Sequence, residues 1–375
     1  MNSVFPFIET NPHTDSALIL AAGRQLFSGA EPKWVWARSL GRFGYSGARL
    51  YVVRVSFDAA PFNHQILKPF AVKIASIAKI KKEFLPYPRI GTKLDFQMAH
   101  VELPDHQDAA LAVTLHADKT GQVTELRDLL FPSDQSTHPI DAFTAAPATL
   151  FEQLYTKCID AMHSSHKLSE VSWELDYAVC DSVHTKVVTR LNGMFGADYV
   201  KRSNPEGAFK QKMTTTASLL RGEIHGDLHP SNVVLDRDLQ KVHLIDFADS
   251  VEEGHLLKDF VLMECSVRFH RFPRSVNFTT QRNFDKKFAK CDFAFESALG
   301  QVQNCRLSEH YERLANYVAA IRQAAKTRTE QLRHEWSGTV YRTALFLQLY
   351  KQMQYESYGH SAGEALLQMA KSLKK

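Results

Sequence analysis

The side chains best suited to chemistry lie in one short segment, Ile224 to Asn232, which reads IHGDLHPSN. Asp227 is followed five residues later by Asn232, and Asp246 follows fourteen residues after that in the sequence LIDF. A carboxylate in a loop can meet the hydroxyl of an acceptor, while an amide and a second carboxylate offer oxygen ligands to Mg²⁺. This set of groups is typical of phosphoryl transfer, which depends on positioning and charge more than on covalent chemistry.

The motif resembles the catalytic loop of the aminoglycoside phosphotransferase and choline kinase group, a branch of the protein-kinase-like fold. Their loop is commonly written HGDLHPGN, and their metal aspartate stands in an Ile-Asp-Phe or Ile-Asp-Trp strand. The resemblance implies that Asp227 orients the acceptor or acts as the base, and that Asn232 and Asp246 bind Mg²⁺. It also implies that His225 braces the loop by hydrogen bonding.

Two other interpretations of the segment are open. HGDLHP could be a surface turn, or His225, Asp227 and His229 could be the metal ligands of a hydrolase. Three ligands at every second position of a loop that ends in Pro230 have no further His/Asp cluster at a suitable spacing elsewhere in the sequence. The phosphotransferase interpretation needs no additional cluster, and we therefore favour it.

The nucleotide-binding residues are expected in the N-terminal third. Gly44, Tyr45, Ser46 and Gly47 lie between two predicted strands, where their backbone amides could cover phosphate groups. Lys73 is the one charged residue of the apolar strand FAVKIA, so its ammonium group must face a polar partner. In kinase-like folds the matching lysine binds the α- and β-phosphates of ATP and pairs with a helix glutamate.

Glu83 is the first suitable partner for that lysine, although the spacing of ten residues is short. The strand ALAVTLH would then be the hinge, with the backbone groups of Leu115 and Ala117 offered to adenine. The short spacing and the segment GYSGARLYVV also look similar to kinase-like domains of bacterial conflict and signalling proteins. That looser resemblance leaves the substrate open.

Three hypotheses for function follow, and ATP and Mg²⁺ are the cofactors expected for the first two. The first is a kinase for a hydroxyl of a small molecule, such as an antibiotic, a sugar or an amino alcohol. The second is a kinase or nucleotidyl transferase that acts on a protein or nucleic acid in a bacterial defence, toxin or signalling system. The third is a catalytically silent binding module that retains the fold. The segment IDFADSVEEGHLLKDF leaves little room for a protein-kinase activation segment, which favours the first.

Around these residues the hydrophobic periodicity predicts strands first and helices later. A leading helix from Asp15, a glycine-turned hairpin over 34–57, the strand FAVKIA and strands at 96–104 and 110–116 form the N-terminal part. Pro86 and Pro88 should interrupt the helix that begins at KIKKEF. Helices are predicted at 151–163, 174–192, 209–222, 256–270, 283–299, 308–332, 338–353 and 362–373, with two short strands, NVVLD and VHLIDF, among them.

These elements predict an α+β, bilobal, protein-kinase-like fold with a lobe over residues 1–116 and a helical lobe over 117–375. The net charge of +4 includes no run of like charge typical of a nucleic-acid-binding stripe. Five cysteines without a CxxC pair favour a reducing compartment over a disulfide framework. The N-terminus has no basic signal region, and the apolar stretch 17–22 is too short to span a bilayer. We therefore expect a cytoplasmic protein with no membrane partner; the oligomeric state is open.

Overall fold

A computed structural model of the protein describes residues 7–8, 12–39, 48–57, 68–115, 123–130, 151, 154–163, 165–236, 242–270 and 309–373. Strands dominate the described residues up to 125, and helices dominate those after 173. The predicted α+β class, with an antiparallel sheet followed by a helical part, is confirmed.

Twelve strands are described. They are β1 (Phe7–Ile8), β2 (Trp34–Ser39), β3 (Arg49–Ser56), β4 (Lys68–Ser76), β5 (Met98–Glu102), β6 (Asp108–Thr114), β7 (Val123–Glu125), β8 (His166–Ser172), β9 (Thr216–Ile224), β10 (Val233–Asp236), β11 (Val242–Leu244) and β12 (Val251–His255).

The helices described are α1 (Pro12–Leu26), α2 (Ile77–Phe84), α3 (Tyr87–Leu94), α4 (Leu126–Leu130), α5 (Asp160–Met162), α6 (Glu174–Tyr177), α7 (Asp181–Phe195), α8 (Ala197–Ser203), α9 (Pro205–Met213), α10 (Leu257–Cys265), α11 (Glu309–Gln331), α12 (Gly338–Gln352) and α13 (His360–Ser372). Two π-helical turns, Tyr155–Ile159 and Ser266–His270, and a 3₁₀ turn, Pro230–Asn232, accompany them. Among the described helices, none combines the length and the apolar character that crossing a lipid bilayer requires.

The chain divides into two compact units. The first contains residues 1–137 and 231–250, and the second contains residues 138–230 and 251–375. The sequence predicted a single boundary after residue 116, whereas the chain passes between these units at three points. The segment 231–250 belongs to the first unit because β10 pairs with both β7 and β11.

The first unit is built on a six-stranded sheet of order β1-β2-β3-β4-β6-β5, in which β1 and β2 are parallel and the other pairs antiparallel. The apolar residues of α1 recur with the spacing of one helix face, so the helix buries Leu18, Ile19, Ala22 and Leu26. They pack against the sheet face that carries residues such as Val53.

The helix predicted after KIKKEF is interrupted, as expected from the two prolines. α2 ends at Phe84 and α3 begins at Tyr87, with proline in its first turn. Proline is accepted there because the first backbone N–H groups of a helix have no partner within the helix. Two short helices, α2 and α3, therefore take the place of one continuous helix.

The second unit contains a three-stranded antiparallel sheet of order β12-β9-β8. The prediction of one helix over 209–222 is wrong, because α9 ends at Met213 and β9 begins at Thr216. A run of three threonines, which are β-branched and favour strands, marks this change. The sequence also gave no sign of β8 or β12, whose residues are mostly exposed.

The helices of the second unit pack around α10, which is almost wholly buried. Its Glu264 accepts hydrogen bonds from the guanidinium group of Arg322 on α11, at 2.6 and 2.9 Å, and from the hydroxyl of Tyr341 on α12, at 2.9 Å. One buried carboxylate thus joins three helices. The helix predicted at 283–299 lies outside the described residues.

Candidate active site

Three charged side chains of the first unit meet at Lys73. Its Nζ lies 2.8 Å from Oε2 of Glu83 and donates a hydrogen bond to Oδ1 of Asp246 at 2.7 Å. The Lys73 and Glu83 side chains are both buried, whereas the side chain of Asp246 is 24% exposed. The sequence placed Lys73 on a strand, Glu83 on a helix ten residues later and Asp246 on a distant hairpin. The structure brings these three residues together.

The short spacing between Lys73 and Glu83 follows from the local structure. β4 ends at Ser76 and α2 begins at Ile77, so no loop separates the lysine strand from the glutamate helix. Lys73 lies opposite Leu50 on β3 and Leu111 on β6, and its ammonium group leaves the sheet from the face opposite α1. A spacing of ten residues is therefore sufficient for the ion pair.

The ammonium group of Lys73 remains charged. Burial alone would lower its pKa, but the charge of Asp246 and hydrogen bonds to Asp246 and Glu83 outweigh burial and raise the pKa above its ordinary value. A buried cation in this place can hold an anionic group such as a phosphate without losing its proton.

Asn232 and Asp246 lie at the same end of the β10–β11 hairpin. Val233 pairs with Leu244, and the next rung is the hydrogen bond from the Ile245 N–H to the Asn232 carbonyl, at 3.0 Å. Asp246 follows immediately, with φ of 65° in the left-handed region, which aspartate tolerates better than most residues. The hairpin thereby brings together two residues that are fourteen positions apart.

The donors fit a hard divalent cation. Asn232 is buried and Asp246 partly exposed, and both carry oxygen atoms of the kind that Mg²⁺ prefers. One oxygen of the Asp246 carboxylate already faces a positive group, the ammonium of Lys73.

The second unit carries the loop with Asp227. Asp259, fully buried on α10, accepts hydrogen bonds from the backbone N–H groups of His225, at 2.8 Å, and Gly226, at 2.9 Å. Burial raises the pKa of Asp259, and these two bonds and the proximity of His225 oppose that rise. Gly226 has φ of 80°, a conformation that glycine adopts without steric cost, so the loop turns sharply before Asp227.

His225 faces its own loop. Its Nδ1 accepts a hydrogen bond from the Asp227 N–H at 3.3 Å, and the side chain is fully buried. Nδ1 is thereby directed at the backbone and not at a metal ion shared with His229. Among the residues that the structure describes, no group of three or more His, Cys, Asp or Glu side chains is arranged to hold a metal.

Asp227 itself is accessible. Its side chain is 38% exposed, and Nε2 of His229 lies 3.5 Å from its Oδ2. His229 thus contacts the carboxylate that the sequence assigned to the acceptor. The sequence assigns His229 no catalytic role in the phosphotransferase hypothesis, although it stands two residues after Asp227.

Of the remaining predicted nucleotide-binding residues, the structure describes Leu115 alone. Gly44, Tyr45, Ser46, Gly47 and Ala117 lie outside the described residues. Leu115 is buried, and its backbone N–H donates to the carbonyl of Pro69 at 3.0 Å. The N–H of Leu115 is therefore engaged within the sheet, and the predicted contact with adenine depends on its carbonyl group.

Comparison with known families now identifies the chain. The family described as Ternary complex associated domain 9 matches residues 92–354, which is more than half of the chain. The protein belongs to this family. This family differs from the aminoglycoside phosphotransferase and choline kinase group, whose catalytic loop the motif resembles. Membership of the chain in that group therefore stays a prediction.

The solved structures similar to this chain include three of low identity. A glucosamine kinase is 13% identical, with 95% of this chain and 97% of that chain covered and a TM-score of 0.43. An aminoglycoside-3'-phosphotransferase of type VIII is 17% identical, with 83% and 100% covered and a TM-score of 0.37. An ethanolamine kinase from Plasmodium vivax is 10% identical, with 92% and 84% covered and a TM-score of 0.35. No curated protein sequence matches the chain.

Proposed function

We propose that the protein is an ATP- and Mg²⁺-dependent phosphotransferase that moves the γ-phosphate to a hydroxyl group of a small molecule. The observation that carries this proposal is the buried ammonium group of Lys73 between the carboxylates of Glu83 and Asp246, at 2.8 and 2.7 Å. A charged lysine beside a metal-binding aspartate is what kinase-like catalysis requires to hold the phosphates of a nucleotide.

In this proposal the first unit binds the nucleotide. Lys73 would hold the phosphates, and Glu83 would remain the partner of its ammonium group if the Asp246 carboxylate bound a metal ion. Asn232 and Asp246 hold the Mg²⁺, which when bound neutralises the charge of the phosphate oxygens. The backbone amides of Gly44 to Gly47 are the further candidates for phosphate contacts.

The second unit supplies the group that acts on the acceptor. Asp227 orients the acceptor hydroxyl and accepts its proton as the oxygen attacks the γ-phosphorus. Asp259 and His225 support this role because they fix the backbone on both sides of Gly226 and so fix the direction of the Asp227 side chain. An accurate direction matters because a misplaced carboxylate loses most of its effect on the rate.

The decisive test measures nucleotide binding and turnover in the purified protein. We expect ATP with Mg²⁺ to raise the melting temperature more than ATP with EDTA, and a panel of sugars, amino alcohols and aminoglycosides to include a substrate that releases ADP. Asp227→Asn should lower kcat about 10³-fold while leaving the nucleotide-dependent shift, since general base catalysis contributes about 10²–10⁴-fold. Asp246→Asn should abolish the Mg²⁺ dependence of that shift.

Asp249→Asn is the matched control, because Asp249 is an exposed aspartate three residues after Asp246. It should behave as the wild type in both measurements. Full turnover in Asp227→Asn or an unchanged Mg²⁺ dependence in Asp246→Asn would contradict the proposed roles. If the wild type shows no nucleotide-dependent shift at all, the silent binding module is the better description.

A second candidate has a specific observation in its favour. The family description names association with a ternary complex, which suits a phosphotransferase or nucleotidyl transferase whose acceptor is a macromolecule. Transfer of label from [γ-³²P]ATP or [α-³²P]ATP to a protein or nucleic acid, without ADP release in the metabolite panel, would favour this candidate.

A further inference from the structure

Tyr87, the first residue of α3, contacts the residue that follows Asp246. Its hydroxyl oxygen accepts a hydrogen bond from the backbone N–H of Phe247 at 3.4 Å. The ring of Tyr87 packs edge-on against the ring of Phe247, with 5.2 Å between centroids and 89° between planes. Both residues are buried. Tyr87 thus holds both the backbone and the side chain of Phe247.

A second ring completes this arrangement. Phe96, in the turn after α3, stacks on Phe247 with 5.8 Å between centroids and 22° between planes, and its ring lies edge-on to Tyr87 at 6.1 Å. Aromatic pairs in these geometries attract each other beyond the burial of their surface. The ring of Phe247 therefore has two aromatic neighbours that fix its position.

Tyr87 contacts the peptide group between Asp246 and Phe247, and this peptide group helps to set the backbone conformation of Asp246. Asp246 adopts φ of 65°, a left-handed conformation that is less favourable than the right-handed one for a residue with a Cβ. Such a conformation persists only where surrounding contacts restrain it. The hydrogen bond from the Phe247 N–H fixes the peptide plane between Asp246 and Phe247, and it is a restraint on the carboxyl side of Asp246.

The chemistry of the hydroxyl suits this role. The hydroxyl of a tyrosine, whose ordinary pKa is about 10, is neutral at physiological pH. A neutral oxygen accepts the backbone N–H without adding a negative charge beside the two carboxylates that hold Lys73.

We propose that Tyr87 is a positioning residue for the metal site, which holds Asp246 in its left-handed conformation through the Phe247 N–H and so sets the affinity for the divalent cation. This inference rests on the proposed function, because it assigns to Asp246 the metal-binding role given above. It adds that part of the Mg²⁺ affinity is determined by a residue that touches neither the metal nor the nucleotide.

The test compares Tyr87→Phe, which keeps the ring and removes only the hydroxyl, with Tyr177→Phe as a matched control. Tyr177 is equally buried, and its hydroxyl lies 3.0 Å from Nδ1 of His255 in the second unit. For both variants the cation concentration giving half of the maximal nucleotide-dependent stabilisation is measured, with direct Mn²⁺ binding by electron paramagnetic resonance as a readout independent of turnover.

We expect Tyr87→Phe to need about 3- to 10-fold more Mg²⁺ or Mn²⁺, the change produced by losing one ordinary hydrogen bond. Binding of ATP in EDTA should be unchanged, because Lys73 and Glu83 are intact. Tyr177→Phe should keep the wild-type cation dependence even if both variants melt at a lower temperature. In an Asp246→Asn background, Tyr87→Phe should have no further effect on cation binding, since the ligand it positions is gone.

Equal cation dependence in Tyr87→Phe and the wild type would overturn the inference and leave the proposed function intact. A wild type without cation-dependent nucleotide binding would overturn both. If Tyr87→Phe does not fold, selective ¹⁵N-Phe labelling of the wild type decides the matter. A slowly exchanging Phe247 amide supports the inference, and a rapidly exchanging one refutes it.

Discussion

At the scale of single residues, His255 shows how burial determines a protonation state. The residue is buried at the end of β12, and burial together with the positive charges of Arg221 and Lys258 lowers its pKa to about 3. The hydroxyl of Tyr177 lies 3.0 Å from Nδ1, and burial raises the pKa of Tyr177 well above its ordinary value, so both partners of this hydrogen bond are neutral. His255 is therefore neutral at physiological pH.

The low pKa of His255 makes the free energy of unfolding depend on pH. Below about pH 6.5 the unfolded chain protonates His255, whereas the folded protein does so only near pH 3, so the unfolded state binds more protons between these values. The free energy of unfolding should then fall on acidification by up to about 1.4 kcal/mol per pH unit. Urea denaturation at pH 7, 6 and 5 measures the slope, which should be shallower in His255→Gln.

His166→Gln, at an exposed position of β8, is the control and should keep the wild-type slope. An unchanged slope in His255→Gln would show that this histidine does not contribute to the acid sensitivity of the fold.

At the scale of elements, β9 is constrained by what lies against its backbone. It is the central strand of its sheet and leads directly into the loop that carries Asp227. A Cβ at Gly222 would lie 2.5 Å from the backbone oxygen of Ser165 and 3.1 Å from Leu256. A backbone atom cannot move away as a flexible side chain could, so this strand position requires glycine.

We predict that Gly222→Ala lowers the free energy of unfolding by about 2 kcal/mol, within the range for inserting a methyl group where there is no space. Gly193→Ala is the contrasting control. Gly193 is exposed within α7, and no atom lies within 4 Å of its added Cβ. Alanine there should raise stability by up to about 1 kcal/mol. Equal effects of the two substitutions in urea denaturation would refute the steric argument.

At the scale of the whole molecule, the candidate residues are divided between two compact units. Lys73, Glu83, Asn232 and Asp246 belong to the first unit, and Asp227 belongs to the second. The first unit is discontinuous in sequence because 231–250 returns to it after the second unit has begun. Its candidate metal ligands therefore depend on a segment that is remote from the rest of the unit along the chain.

This division predicts where a nucleotide stabilises the protein. In hydrogen exchange followed by mass spectrometry, Mg²⁺ with ATP should slow exchange in β4, α2 and the hairpin of β10 and β11. A ligand that binds only the folded state at 100 times its Kd adds about 2.7 kcal/mol. Exchange in α13, within the helices of the second unit, should be unchanged. Protection confined to α13, or absent from the hairpin, would contradict the assignment.

The sequence by itself determined the motif and the class of fold. HGDLHPSN with LIDF marked the loop and the hairpin, because the types and spacing of these residues follow from the oxygen ligands that the chemistry requires. A short apolar run marked β4, and helical periodicity marked α11 to α13, because a buried strand and a helix with one buried face each impose a local pattern. Glu83 could be named because the chain turns from strand to helix within ten residues.

Only the tertiary structure decided what depends on contacts between distant segments. β8 and β12 are largely exposed and carry no clear alternating pattern. The residues of β9 predict a helix because burial on both faces removes that alternation. The contact of Asp246 with Lys73 joins residues 173 positions apart, and that of Tyr87 with Phe247 joins residues 160 apart. Spacing along the chain says nothing about such pairs, because the packing of the surrounding elements sets their distance.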